Sequence, residues 1–384
     1  MTLTSPFKLG EDQQQIRDHV RRIAKERVAH RAAEIDANAE YPQDMFELLK
    51  ELGLFTLPFP KNFGGAESML SSCVAIEELG RVCYNTAYLL VVQWTPFGAI
   101  LAGGTSGQKE RFLPGLANGG LRAAFSLTEP QSGSDVAGIK TRAKRVDGGY
   151  LLNGGKIWCT NSAVSDFIVV AARSGDSEER GAINFFIVEK GMHGFRIGRK
   201  EDKLGARGVP SSAIYFEDVF IPDENRLGLE GEGFKIVMEA LNQSRPIIAA
   251  RGVGLAQGAI DHAKDFITNR FAFGQSVSDF QGVRWMLADM QIQTEAARGL
   301  VYKAAAAVDA GITGNELGLQ AAIAKCHATD TAMQVATDAV QLFGASGISN
   351  EYPINRYFRD AKVLQIVEGT NQIQRNVISR IILR

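Results

Sequence analysis

Apolar and polar positions repeat with a helical period at both ends of the chain and with a strand period in its middle. Gln15-Ile16, His19-Val20 and Ile23-Ala24 recur at helical spacing with charges between them, and Met45, Leu48, Leu49 and Leu52 continue the pattern after Tyr41-Pro42. Proline and glycine interrupt it from Phe59 to Gly65. Helical stretches follow around Ala75 to Arg81 and, strongly apolar, from Ala87 to Leu101. The latter predicts a buried helix in which Trp94 either packs a core or walls a pocket. From roughly Arg122 to Leu227 the runs become short and rich in β-branched and aromatic residues: Tyr150-Leu151-Leu152, Phe167 to Ala171, Ile183 to Val188 and Ala213 to Ile221. Asp147-Gly148-Gly149 and Asn153-Gly154-Gly155 read as turns between them. Strands at this spacing suggest a barrel or sandwich. From about Gly233 the helical period returns, with Val283, Met286, Leu287 and Met290 on one face and strong helix formers from Ala304 to Val308 and Leu317 to Ala324. Long striped helices with short glycine-containing links argue for a bundle. The expected fold class is therefore α+β: an N-terminal α-helical domain over residues 1–120, a central β-barrel or sandwich domain over 121–228, and a C-terminal four-helix-bundle-like domain over 229–384.

Composition narrows the classes. With 45% hydrophobic residues, the 384-residue chain can bury a sizeable core and is not a disordered one. A net charge of -1 leaves no electrostatic footprint for nucleic acid. No apolar run is expected to reach the length of a membrane span, the longest candidates, such as Phe167 to Ala172, being strand-sized. Met1 to Gly10 has no apolar signal core, so a cytoplasmic protein without membrane insertion is expected. Cys73, Cys83, Cys159 and Cys326 lack metal-ligand spacing; no metal site is expected, and a reducing compartment would keep them as thiols.

Several stretches carry chemistry as well as structure. In Val367-Glu368-Gly369-Thr370-Asn371-Gln372-Ile373-Gln374-Arg375 an acid precedes glycine after an apolar run. A carboxylate among apolar neighbours loses hydration and becomes a better base near neutral pH. The plainer reading is a loop-to-helix junction with Thr370 as N-cap. Phe125-Ser126-Leu127-Thr128-Glu129-Pro130-Gln131-Ser132-Gly133-Ser134-Asp135 is either a hydrated surface turn or a loop offering backbone N–H groups and hydroxyls to a polar ligand. In a strand, Trp158 and Thr160 share a face and Cys159 points the other way, so an aromatic plate and a hydroxyl could hold a ring system; an ordinary buried Trp is the alternative. Asn242-Gln243-Ser244-Arg245 is expected to open a bundle helix, with Arg245 a surface charge or a ligand contact.

Taken together and in this order, these motifs resemble those of the acyl-CoA dehydrogenases over nearly the whole chain. The resemblance implies an FAD-dependent enzyme that oxidises an acyl-CoA thioester to the 2,3-enoyl-CoA, with Glu368 removing the α-proton while the β-hydride goes to flavin N5. The enolate oxygen would meet the Glu368 backbone N–H and a flavin ribityl hydroxyl. It further implies that Phe125, Leu127 and Thr128 contact the flavin, that Ser134 lies against flavin and acyl-CoA, and that Trp158 and Thr160 cover one flavin face. Asn242, Arg245, Val367 and Gly369 would contact the substrate. Arg270 and Phe273 in Arg270-Phe271-Ala272-Phe273-Gly274, Gln281, and Gln341 and Gly344 in Gln341-Leu342-Phe343-Gly344-Ala345-Ser346-Gly347 would reach the FAD of a neighbouring subunit, and Thr370 and Gln372 belong to the same cofactor set. A guanidinium such as that of Arg270 suits a pyrophosphate. One branch of the family places its base just before the arginine matching Arg245; Ser244 stands there, which leaves Glu368. Ala345 departs from the family, where a second glycine is usual. Implied partners are an electron-transferring flavoprotein and further copies of the chain, as a tetramer built as a dimer of dimers. An acyl-CoA oxidase or a non-catalytic flavin-binding scaffold are the alternatives. Val367 stands where many straight-chain members carry Tyr, and Tyr84-Asn85-Thr86-Ala87 lacks the arginine that grips a distal carboxylate in the glutaryl branch. An uncharged, wider acyl group follows, unless Trp94 or Phe97 fills the space.

Overall fold

The computed structural model describes residues 9–174 and 183–383, so the reading of Met1 to Gly10 lies outside it as far as residue 8. Six helices come first: α1 (Glu11–Ile23), α2 (Ala32–Asn38), α3 (Gln43–Glu51), α4 (Met69–Gly80), α5 (Tyr84–Gly103) and α6 (Ser106–Ala117). Ser68 caps α4 by accepting from the Ser71 N–H, and Thr105 with Gln108 forms a reciprocal capping box on α6. Helix α5 corrects one expectation. It is long and apolar enough to cross a membrane, yet 83% of its most apolar window is buried inside the protein, so here the apolarity serves a core.

Eight strands follow: β1 (Ala123–Ser126), β2 (Arg142–Val146), β3 (Gly149–Thr160), β4 (Phe167–Ser174), β5 (Ile183–Glu189), β6 (Phe195–Lys200), β7 (Ser211–Pro222) and β8 (Arg226–Leu227). They form one sheet in the order β6-β7-β3-β2-β4-β5-β8, with β1 pairing parallel to β4. The central strands are buried on both faces. Phe167, Val169 and Ala171 of β4 join the helical core, while Ile168, Val170 and Ala172 point into a second core enclosed by the sheet. Two-sided burial explains why β4 and β5 read as continuous apolar runs rather than alternating ones. The turn at Asp147-Gly148 joins β2 to β3, with Gly148 at φ 73°. Asn153-Gly154-Gly155, expected as a turn, instead lies inside β3. The register against β7 shifts between Leu152 and Gly154, and Gly154 adopts φ 135°, so the glycines make a bulge.

The remainder is helical: α7 (Gly233–Asn269), a short hairpin of β9 (Phe271–Ala272) and β10 (Gln275–Ser276), then α8 (Gln281–Asp309), α9 (Gly314–Phe343), α10 (Ile354–Leu364) and α11 (Asn371–Ile382). Asn242 to Arg245 do not open a helix; they lie inside the 37-residue α7, ahead of Pro246. α5 and α7 run antiparallel and close together. A Cβ at Gly103 would strike Ile236 at 2.5 Å, and one at Gly98 would touch Ala240 at 3.7 Å.

Candidate functional site

The turn between α10 and α11 carries Glu368 at φ 52°, followed by Gly369 at φ 90°. Left-handed backbone at a glutamate is costly and persists only where surroundings enforce it. Here they do. Lys325 of α9, fully buried, donates through Nζ to the Gly369 carbonyl at 2.9 Å and to Asn371 Oδ1 at 2.9 Å. Gln374 Nε2 donates to the carbonyls of Gly369 (3.0 Å) and Glu368 (3.3 Å). Burial pushes the Lys325 ammonium down to about 8, and the Glu368 carboxylate opposes that shift. Thr370 does cap α11, accepting from the Ile373 N–H at 3.3 Å.

The half-buried Glu368 carboxylate therefore projects from a fixed turn into the seam between α5 and α7. Its two oxygens end on hydroxyls rather than on an apolar wall: Ser244 Oγ donates to Oε2 at 2.7 Å, and Thr95 Oγ1 lies 3.2 Å from Oε1. Thr95 directly precedes Pro96, and Ser244 lies two residues before Pro246, both inside their helices. Arg245 is not a surface charge. It is buried, donates to Asn242 Oδ1 at 2.6 Å, and is held down to about 10 by burial, with Glu368 opposing. Among the described residues the Glu368 backbone N–H has no hydrogen-bond partner. Trp94 plays both of its anticipated parts: its Nε1 donates to the Phe55 carbonyl at 2.8 Å, and with Phe97, Ser244 and Ile247 it lines a small cavity.

A second cluster forms where β1 runs into its loop. Phe125 stacks on Phe185 with centroids 5.4 Å apart, and Leu127 and Thr128 follow, half-buried. The Thr128 carbonyl accepts from the Ile157 N–H at 3.0 Å, which sets the loop beside Trp158. β3 bulges again between Lys156 and Cys159 and Trp158 takes φ 59°, so its ring stands 52% exposed while Cys159 enters the sheet core. Thr160 Oγ1 shares a hydrogen bond with Ser211 Oγ at 3.0 Å, and Ser134 is exposed. An ion pair that no motif announced pins this loop. Buried Glu129 accepts from Lys156 Nζ (2.7 Å) and from the backbone N–H groups of Lys140 (2.6 Å) and Thr141 (3.0 Å). Burial alone would raise the Glu129 carboxyl, but Lys156 and the donors override it and bring it to about 2. An exposed aromatic plate with the Thr160 hydroxyl two residues on fits a flat heteroaromatic ring such as a flavin. α5 links the two clusters: Gln93 accepts from the Ala123 N–H at 3.0 Å, and Thr95 meets Glu368.

The remaining expected residues lie elsewhere. Arg270, Phe273 and Gln281 are exposed around the β9–β10 hairpin, Gln341 and Gly344 are exposed at the end of α9, and Gln372 is exposed at the start of α11. Phe266 stacks on Phe343 at 4.1 Å, placing the hairpin and the end of α9 at the same end of the bundle. Among the described residues no hydrogen bond, ion pair or ring contact joins them to Glu368 or to the β cluster. Thr95, Lys325, Asn371 and the Ser244 contact were not foreseen. A lysine on the alanine stripe of α9 (Ala321, Lys325, Ala328, Ala332) was a readable sign of a buried, partnered cation.

The chain matches three family models: "Acyl-CoA dehydrogenase, N-terminal domain" over residues 10–120, "middle domain" over 124–219 and "C-terminal domain" over 231–383. It is 40% identical over 380 residues to the short-chain specific acyl-CoA dehydrogenase of Clostridium acetobutylicum, covering 98% of this chain and 100% of that one. A chain in the solved structure of the electron transferring flavoprotein of Acidaminococcus fermentans is 41% identical with a TM-score of 0.94, covering 99% of this chain and 100% of that one. The FAD complex of PigA is 28% identical with a TM-score of 0.92, covering 98% of each.

Proposed function

Because the chain belongs to the acyl-CoA dehydrogenase family, whose members are FAD-dependent enzymes acting on acyl-CoA, we propose that it removes the α-proton and β-hydride of an acyl-CoA with Glu368 as base. One observation carries the assignment of the base. Glu368 is aimed by a strained, pinned turn at the α5–α7 seam, where Ser244 and Thr95 hold both carboxylate oxygens and its own N–H is left without a partner among the described residues. A thioester carbonyl placed on that N–H would bring its α-carbon to the carboxylate, so the residue would orient the enolate and take the proton at once. Buried Arg245, tied to Asn242, adds positive potential close by. FAD, when bound, accepts the hydride equivalent. Phe125, Leu127, Thr128, Ser134, Trp158 and Thr160 would hold its ring, with Trp158 as the stacking surface. An electron-transferring flavoprotein would then take the electrons, and a second copy of the chain would bring Arg270, Phe273, Gln281, Gln341 and Gly344 to the FAD from outside. Four free, buried cysteines suit the reducing cytoplasm in which we place it.

Glu368→Gln keeps shape and loses basicity. Positioned general bases contribute roughly 10²–10⁴-fold, and that is the loss expected in anaerobic flavin bleaching, with FAD content and acyl-CoA binding kept. Bleaching near the wild-type rate would point to another base. Fast recolouring in air after bleaching would point to an oxidase.

A further inference from the structure

Arg251 of α7 is fully buried, and its Nε, Nη1 and Nη2 have no hydrogen-bond partner among the described residues. The guanidinium lies 3.8 Å from the centroid of the Tyr88 ring and 4.3 Å from that of Tyr84. Two aromatic faces ease the burial of a cation but satisfy none of its donors. The hydroxyl of Tyr84, whose ring lies against the guanidinium, is buried and also without a partner among the described residues. A structural arginine in a dry core is ordinarily paired, because an unpaired one forfeits hydration for nothing. Donors gathered without an acceptor mark a place that a ligand completes.

The position of this cluster says which ligand. Thr95 and Ser244 meet at Glu368, one from each helix. Tyr88 on α5 and Arg251 on α7 each lie about two helical turns on from those residues, in the direction that keeps the antiparallel helices in step, so they share the same faces roughly 10 Å further along the seam. Side chains lean toward the N-terminus of their helix, which tilts Arg251 back toward Ser244 and the base. Buried Val91, Val92, Ile247 and Ile248 occupy the turns between. Tyr84 lies within electrostatic reach of Arg251, of the buried Asp360 and, more weakly, of Glu368. The seam thus has a base at one level, apolar side chains next, and an unsatisfied cation beyond them.

Resting on the acyl-CoA reading above, we propose that Arg251 and Tyr84 bind a carboxylate at the distal end of the acyl chain, making the substrate a short dicarboxylic acyl-CoA. The missing arginine in Tyr84 to Ala87 favoured an uncharged acyl group; the structure supplies the cation from the opposite helix, against Tyr84 itself. A site built around buried donors rejects the analogue that lacks the acceptor, by as much as about 10⁴-fold where the polar groups would be left unpaired.

The test compares glutaryl-CoA and adipyl-CoA with butyryl-CoA and hexanoyl-CoA, using the FAD-loaded enzyme. Wild type should favour the carboxylates in kcat/KM by about 100-fold or more. Arg251→Gln should remove that preference, lowering kcat/KM for the carboxylates, and Arg251→Lys should restore part of it. Calorimetry with the Glu368→Gln holoenzyme supplies a readout free of turnover: adipyl-CoA should bind more tightly than hexanoyl-CoA, and Arg251→Gln added to it should abolish the difference. Wild type bleached equally or better by neutral chains, with no tighter binding of adipyl-CoA, overturns the proposal and leaves the acyl-CoA reading standing. An enzyme that neither binds nor is reduced by any of the four overturns that reading itself.

Discussion

Ser244 shows how much of the chemistry rests on a single hydroxyl. Its Oγ stands 2.7 Å from Glu368 Oε2, and Thr95 offers a longer contact to the other oxygen. Hydrogen bonds to charged groups are worth about 1.5–3 kcal/mol, and loosening a reacting group from its aim costs rate as well. Ser244→Ala should slow flavin reduction by about 10-fold with FAD content unchanged, and Ser244→Thr, which keeps the hydroxyl, should recover most of the loss. Stopped-flow bleaching measures both; an alanine variant as fast as wild type would make the contact incidental. Glu368 was legible because its own neighbours in sequence resemble a family signature. Ser244, Thr95 and Arg251 were not, since what matters about them is whom they meet across the seam. Ser244 served only to exclude a base at its position, and Arg251 passed unnoticed within an apolar run.

At the scale of elements, periodicity revealed helices and the doubly buried strands, and missed what happens inside them. In sequence, β3 reads as pieces separated by a turn at Asn153-Gly154-Gly155, where the glycines make its first bulge; the second bulge, which turns Trp158 outward, leaves no mark on the alternation. The side chains of short α10 join distant parts of the chain. Tyr357 Oη donates to the Arg81 carbonyl at 2.7 Å, Arg359 pairs with Asp36, and Asp360 Oδ1 accepts from the Ala206 N–H at 2.7 Å. Asp360 is buried, and burial raises its carboxyl from 3.8 to about 6. The folded protein therefore holds a proton that the unfolded chain releases, so this group favours folding below its ordinary value and loses that contribution as pH rises toward and through the folded one. Asp360→Asn retains an acceptor for Ala206 without the charge. Its stability relative to wild type should therefore improve between roughly pH 4 and pH 7. Thermal midpoints of the pair at both ends of that range test this; a constant difference would mean that Asp360 is not held protonated by its surroundings.

For the whole molecule, the exposed apolar end of the helical bundle matters most. Phe273 is 95% exposed, Phe271 70% and Trp285 60%, all around the hairpin that carries Arg270. Apolar side chains gathered on one end of a bundle mark a contact surface, and a cation among them would be well placed for a phosphate on the neighbour. Cofactor hold and assembly should then fail together. Arg270→Ala removes a charged partner worth about 1.5–3 kcal/mol. It should weaken FAD binding and lower the thermal midpoint in a way that excess FAD restores, because a ligand bound only to the folded state stabilises it by mass action. Phe273→Ser leaves every charge in place and removes an almost fully exposed ring. If the hairpin crosses between subunits, that variant should sediment as a smaller species and shed FAD on dilution. Should Phe273→Ser dissociate while keeping its FAD, or Arg270→Ala keep wild-type FAD affinity, the cofactor site would be complete within one chain and the hairpin would serve assembly alone.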